Sequence, residues 1–395
     1  MQRNYCGTPR ETIPLRILDF FVNLYTKLFY TKSREVSSKS PRILIASLGH
    51  LGDALTTSYL FPIIKKKYPD AKIDVIIPEW CKLILAENPY IENAFFINHF
   101  VNSRKNISKW QKIKEAFRTV RIAASQLKKY QYDYYLDVRY TDAVAHFILP
   151  FIDVKQAFGF SRRGLGDLLT KEFDVPDREF HHFEMYLLLL KEIGIEASFK
   201  DIEPYFSIPS GIEFDKISNK IGLLTENYFM VFPEAGTGSN NTRQLSKEVC
   251  AEMIGRILTD TNLDVLLCGQ TDLSQKIRDL IPVDLQNRVI DTSSKININE
   301  IARLTQKTQF AITLDSFPEH LSCVFCKTIS IYNQTAEAFL PLANHPACVI
   351  YINKKEYRFE FKRENVEVMY LPTLNEQQII GMIHDKALNF TKTNL

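Results

Sequence analysis

From residue 42 onward the chain repeats one pattern: a short apolar run, a turn of small or polar residues, then a stretch with helical periodicity. Apolar runs of this length, separated by amphipathic helical stretches, are the mark of buried parallel strands joined by helical crossovers. Residues 42–48 (RILIASL) begin the first series, followed by the turn GHLGD and a helix over 54–68 that ends in Lys65, Lys66 and Lys67. Further strands are expected at 74–78, 94–98, 132–139 and 156–160, with helices between. The pattern restarts at 228–233 (YFMVFP) and runs through a helix at 247–258, a strand at 264–269, a helix at 273–280 and a strand at 288–291. A helix at 299–305, a strand at 309–315, a helix from Pro318 and a strand at 328–332 complete it. The expected fold is α/β, with two doubly wound domains in tandem. Residues 1–40 form a leading helix and linker, 41–215 the first domain and 216–395 the second, and the amphipathic tail 375–388 packs back. In open sheets of this kind ligands sit at the carboxyl ends of the strands, so the cleft between domains is the expected site.

A chain of 395 residues, 45% hydrophobic, with 27 Phe and 18 Tyr, can fill two such cores. A net charge of +3 is too balanced to suggest nucleic-acid binding. Seven cysteines in no regular framework fit a reducing cytoplasm. Residues 1–11 lack the features of a signal peptide, and no apolar run is long enough to span a bilayer. Within 13–30, Ile13, Ile17, Phe20, Phe21, Leu24 and Leu28 recur at helical spacing, accompanied by Arg16 and Lys27. Such a stripe either docks on the protein's own core or lies in the inner surface of the cytoplasmic membrane, and both readings stay open.

Three loops, each at the end of an apolar strand, carry the candidate chemistry. In the first, Gly49 and Gly52 allow a tight turn, and Asp53 either caps a helix or acts as a general base. In the second, Thr237, Gly238 and Ser239, with Thr242 and Arg243 beyond, suit phosphate oxygens, although no P-loop lysine is present. In the third, Asp315, Ser316 and His320 are placed to position a diphosphate or sugar, and Glu319 to accept bonds from ribose hydroxyls. Capping of the following helix is the plainer reading of Asp315 and Ser316. Cys323 and Cys326 lack a second pair at zinc spacing and read as buried thiols, so no metal is expected. His181 and His182 read as a helix start, and the basic stretch 112–130 as a solvated face or a phosphate-bearing surface.

Taken in order, these loops resemble glycosyltransferase family 9, the bacterial ADP-heptose:lipopolysaccharide heptosyltransferases. The opening RILIASLGHLGDALTTSYLF is similar to the family's strand–GxLGD–helix start, and YDYYLDV to its following strand motif. VFPEAGTGSNNTRQLSKE resembles its phosphate loop, and ITLDSFPEHL its D-S-G-P-x-H segment. The resemblance extends over roughly residues 42–390.

It implies a GT-B fold of two facing Rossmann-like domains and an inverting, metal-independent sugar transfer that needs no cofactor. It implies further that the first domain binds a lipopolysaccharide-core or other glycan acceptor and the second a nucleotide-sugar, ADP-heptose being favoured. Asp53 then falls at the position of the proposed base. The phosphate loop maps to Thr237, Gly238 and Ser239, and the closing segment to Asp315, Ser316 and His320. There are departures: Thr242-Arg243 stands where relatives carry Lys and Arg-Trp, Phe317 replaces a glycine, and Glu234 would sit unfavourably near a diphosphate unless turned away. A GT-B protein that binds without catalysing is the competing reading. An NAD-dependent enzyme would need a dinucleotide fingerprint that GHLGDA does not supply.

Overall fold

The computed structural model describes residues 9–29, 34–85, 87–103, 105–141, 143–160, 164–176, 180–235, 243–333, 337–352 and 364–392. The chain divides into two compact units, Met1–Ile202 and Glu203–Leu395.

The first unit runs α1 (Pro9–Phe29), β1 (Arg42–Ala46), α2 (Leu51–Ser58), α3 (Leu60–Lys67), β2 (Lys72–Ile77), α4 (Lys82–Leu85) and β3 (Ile91–Phe96). It continues with α5 (Lys109–Leu127), β4 (Gln131–Asp137), β5 (Asp153–Phe160), β6 (Lys171–Phe173) and α6 (His182–Glu192). Its six strands are ordered β3-β2-β1-β4-β5-β6, and every pairing is parallel. Strands β1, β2 and β4 are buried along most of their length, as expected of a parallel sheet covered on both faces, and the acids they carry, Asp74, Asp133 and Asp137, are buried with them. The order reverses between β1 and β4, so the loops leaving those two strands open a crevice at their carboxyl ends.

The single helix expected over 54–68 is two, broken at Tyr59. The cause is Pro62, which has no N–H to give the Ser58 carbonyl and whose ring crowds it. The two histidines before α6 do mark a helix start. His181 Nδ1 accepts from Phe183 N–H at 3.3 Å, and Glu184 Oε1 accepts from His181 N–H at 2.9 Å.

Helix α1 overturns one sequence reading. It docks on the first unit, but through polar residues. The Asp19 carboxylate accepts from Leu165 N–H at 2.6 Å, Asn23 donates to Asp167 at 3.1 Å, and Thr12 and Thr26 are buried alongside. Among the described residues of this helix, Leu18 and Val22 reach the core. Ile13, Ile17, Phe20, Phe21, Leu24, Leu28 and Phe29, the stripe that one reading packed on the core, are exposed. No helix among the described residues is long and apolar enough to cross a membrane.

The second unit runs α7 (Phe214–Ile221), β7 (Tyr228–Val231), α8 (Lys247–Asp260), β8 (Asp264–Leu267), α9 (Leu273–Arg278), β9 (Val289–Asp291) and α10 (Ile298–Thr305). There follow β10 (Phe310–Leu314), α11 (Phe317–Phe325), β11 (Lys327–Asn333), β12 (Ala347–Ile352), β13 (Val366–Leu371) and α12 (Glu376–Lys392). The seven parallel strands are ordered β13-β12-β11-β10-β7-β8-β9, with the reversal between β7 and β10. Helix α12 lays Ile379, Ile380, Ile383, Ala387 and Phe390 into this unit's own core, beside Ile254 and Ile257 of α8.

Candidate active site

Asp53 stands in the first turn of α2, directly beyond the β1 turn. Its Oδ2 accepts the backbone N–H of His50 at 2.7 Å, so it does cap the helix from within. Its Oδ1 lies 2.9 Å from Arg139 Nη1, just past the end of β4. The two loops at the strand-order reversal are thereby joined through this carboxylate. Gly49 makes the arrangement possible, since a Cβ there would overlap the Asp53 side chain. Trp80 Nε1–H donates to the Gly49 carbonyl at 3.1 Å and fastens the turn from the other side.

Behind Arg139 lies a fully buried pair. The Arg139 backbone N–H donates to Asp137 Oδ1 at 3.0 Å, and Asp137 Oδ2 is 2.9 Å from His146 Nε2. Other ionisable groups near Asp53 hold their protons. Burial, reinforced by the Asp53 charge, pushes the Cys81 thiol up and the Tyr186 phenol up to about 12. Asp53 itself, unlike these two, remains partly open to solvent.

In the second unit the loops after β7 and β10 are likewise linked, by Arg243 Nη1 to Asp315 Oδ2 at 3.0 Å. Thr237, Gly238, Ser239 and Thr242 lie outside the described residues, so the phosphate-loop expectation rests here on Arg243 alone. Ser316 stands at the N-cap of α11, yet its hydroxyl donates back to the Leu314 carbonyl at 3.2 Å and leaves the helix's own amides unbound by it. His320 is buried within the first turns of the same helix.

Glu319 is not where the sequence reading put it. Its side chain is 0% exposed and accepts from Tyr332 Oη–H at 2.9 Å, so it is closed off from ribose hydroxyls. Burial, then the neighbouring Asp315 charge, raises this carboxyl well above the usual range. The folded protein thus holds a proton that the unfolded chain releases. That contribution is fully present below the ordinary glutamate value and is lost as pH rises through the folded one. Glu319→Gln imitates the protonated form. The variant should match the wild type in thermal unfolding at about pH 4 and exceed it by a margin that widens towards about pH 8. Equal melting temperatures across that range would exclude a protonated Glu319.

Glu234 is turned away from the loop it precedes. Its carboxylate accepts from Gln270 N–H, Thr271 N–H and Thr271 Oγ1–H at 3.0, 3.0 and 2.6 Å. The charge is absorbed by the turn between β8 and α9 and is not free to repel a diphosphate.

The sequence reading missed Arg139, Asp137 and His146. Asp137 lies in the YDYYLDV motif without a role being read from it, Arg139 was visible only as the end of a strand, and no motif marks His146.

Two doubly wound parallel sheets, each with charged loops joined at its strand-order reversal, define a protein of the GT-B class. A family model described as glycosyltransferase family 9 (heptosyltransferase) matches residues 120–371. The chain belongs to this family and is a glycosyltransferase. It is 23% identical over 319 residues to lipooligosaccharide heptosyltransferase 2 of Haemophilus influenzae, an alignment covering 78% of this chain and 88% of the relative. Among solved structures, the glycosyl transferase family 9 protein of Veillonella parvula superposes with a TM-score of 0.69 at 17% identity, covering 91% of this chain and 100% of that one. The ADP-heptose lps heptosyltransferase II of E. coli superposes with a TM-score of 0.65 at 18% identity, covering 88% of this chain and 99% of that one. At such identities the two superpositions speak for the fold.

Proposed function

We propose that this glycosyltransferase moves heptose from ADP-heptose to a lipopolysaccharide-core acceptor, with inversion at the anomeric carbon and without a metal. The observation that carries the reading is the position of Asp53: a partly exposed carboxylate at the first sheet's strand-order reversal, held on both oxygens. The names of the relatives supply the substrate class.

In this reading the first unit binds the acceptor and the second the nucleotide-sugar. Asp53 takes the proton of an acceptor hydroxyl. That oxygen forms the new bond to the anomeric carbon as the opposite bond, to the diphosphate, breaks. The proton ends on Asp53 and the electron pair on the departing ADP. Arg139 and the His50 amide hold the carboxylate in one orientation, which shortens the search for a productive geometry. Arg243, with amides at the start of α11, is the proposed electrostatic partner of the leaving diphosphate, exchanging Asp315 for phosphate oxygens. Because nucleotide-sugars are cytoplasmic, the reading places the chain on that side of the membrane.

The test is mass-spectrometric detection of sugar transfer from a panel of ADP-, UDP-, GDP- and dTDP-sugars to lipopolysaccharide-core acceptors. ADP-heptose should turn over fastest, and prior treatment with EDTA should change the rate by less than about twofold, since no step uses a metal as Lewis acid. Preference for another donor would remove the heptose assignment. A rate abolished by EDTA and restored by Mg²⁺ would overturn the metal-free step.

A further inference from the structure

Helix α1 has its polarity reversed for a helix packed on a globular unit. Its polar residues Thr12, Asp19, Asn23 and Thr26 face the protein, while most of its aromatic and aliphatic residues, Leu18 and Val22 excepted, face out, with Phe20 68% exposed. Exposing one large side chain is common, but an aligned row of six, Ile13, Ile17, Phe20, Phe21, Leu24 and Leu28, on a helix about 30 Å long is not. The acidic Asp19 is turned inward, and Arg16 and Lys27 stand beside the exposed row.

A second helix continues this character. The outward side of α5 carries Trp110, 80% exposed, with Phe117 and Ile122, alongside exposed Lys114, Arg118 and Arg121. Its sole acid, Glu115, is engaged by Lys105. Leu18 and Val22 of α1 pack on the same hydrophobic cluster as Val120, Ala123 and Leu127 of α5, so both helices belong to one layer of the first unit. Between them, the half-exposed Phe151 adds to the apolar surface from the segment Val144–Phe151, whose Phe147 meets Phe117 at 6.4 Å between centroids.

We propose that this layer lies flat on an anionic lipid surface, with the α1 row sunk to the acyl boundary and the basic side chains of α1 and α5 among the headgroups. Helices that lie in a bilayer interface combine an apolar face, aromatic residues and Lys or Arg, and no spanning length is needed. Each Lys or Arg near an anionic surface adds attraction. A flat lipid surface is the occupant that meets the α1 row and the basic residues of α5 together, since the acyl boundary takes the one and anionic headgroups the other. The inference does not depend on which sugar is transferred, and its test reads no activity.

The test is co-sedimentation of the full chain with phosphatidylcholine vesicles, with and without phosphatidylglycerol, beside the variant Phe20→Glu/Leu24→Glu and the variant Lys114→Glu/Arg118→Glu/Arg121→Glu. The wild type should sediment with the phosphatidylglycerol vesicles and lose much of that binding at high salt. The α1 variant should lower the partition coefficient at least roughly tenfold, as expected for withdrawing two large apolar side chains from lipid. Its thermal unfolding should be unchanged, because both positions are exposed. Should that variant unfold early, Phe21→Ser/Leu28→Ser makes the same test. The α5 variant should weaken binding only to the anionic vesicles. Failure of the wild type to bind phosphatidylglycerol vesicles, or α1 variants that bind as well as the wild type, would overturn the proposal. So would a dimer that the α1 substitutions dissociate in a protein that ignores vesicles, since a second copy would then be the occupant.

Discussion

Asp53→Asn is expected to lower the transfer rate by about a hundred- to ten-thousand-fold while leaving donor binding and the melting temperature close to wild type. The amide oxygen of asparagine can still accept the His50 N–H, so the α2 cap survives. What disappears is the proposed proton acceptor and the ionic half of its contact with Arg139. Single-turnover assays with the proposed donor, ADP-heptose, at saturation, alongside calorimetric titration of the donor, separate chemistry from binding. Donor binding that falls as far as the rate would assign Asp53 a binding role. A rate within threefold of wild type would remove it as the base.

The second large effect concerns stability. Asp137→Ala should cost the first unit about 1–3 kcal/mol, because the buried His146 and the part-buried Arg139 amide are left without their carboxylate. For a unit of this size that is roughly 2–12 °C in melting temperature. Because Arg139 is fastened to Asp137 through its own backbone, the loss should also loosen the grip on Asp53, so residual folded protein should show a reduced rate at low temperature. A destabilisation below about 1 kcal/mol would mean that the pair contributes no more than an ordinary surface contact.

The strands that carry the site were legible because burial on both faces strips polar residues from them, as Arg42–Ala46 and Phe310–Leu314 illustrate. The same rule could have found β12, since all six residues of Ala347–Ile352 are apolar and buried. Strand β13 is harder to read: it pairs only with β12, its burial is partial, and Glu367 interrupts it. The break between α2 and α3 was written in Pro62. Periodicity showed that α1 has an apolar stripe but not which side would be covered, because that depends on where the Leu165 amide lies, far along the chain. The same limit applies to the site. The β1 turn and Asp53 belong to one local motif, whereas the partnership of Asp53 with Arg139 is created only when β1 and β4 pair. Glu319 was misplaced because residues 315–320 read identically whether the acid points to solvent or beneath its helix.

The anchoring of Glu234 has a consequence for inheritance. Its carboxylate sits where any side chain at position 269 would have to go, 2.7 Å from the place a Cβ would take there. Without that carboxylate, the Gln270 and Thr271 amides lose their shared acceptor. Positions 234, 269 and 271 are therefore expected to change together in relatives, a change at one favouring compensation at the others. A chimaera that takes the loop after β7 from a relative lacking an acid at this point would strand two amides unless the turn after β8 is transplanted with it.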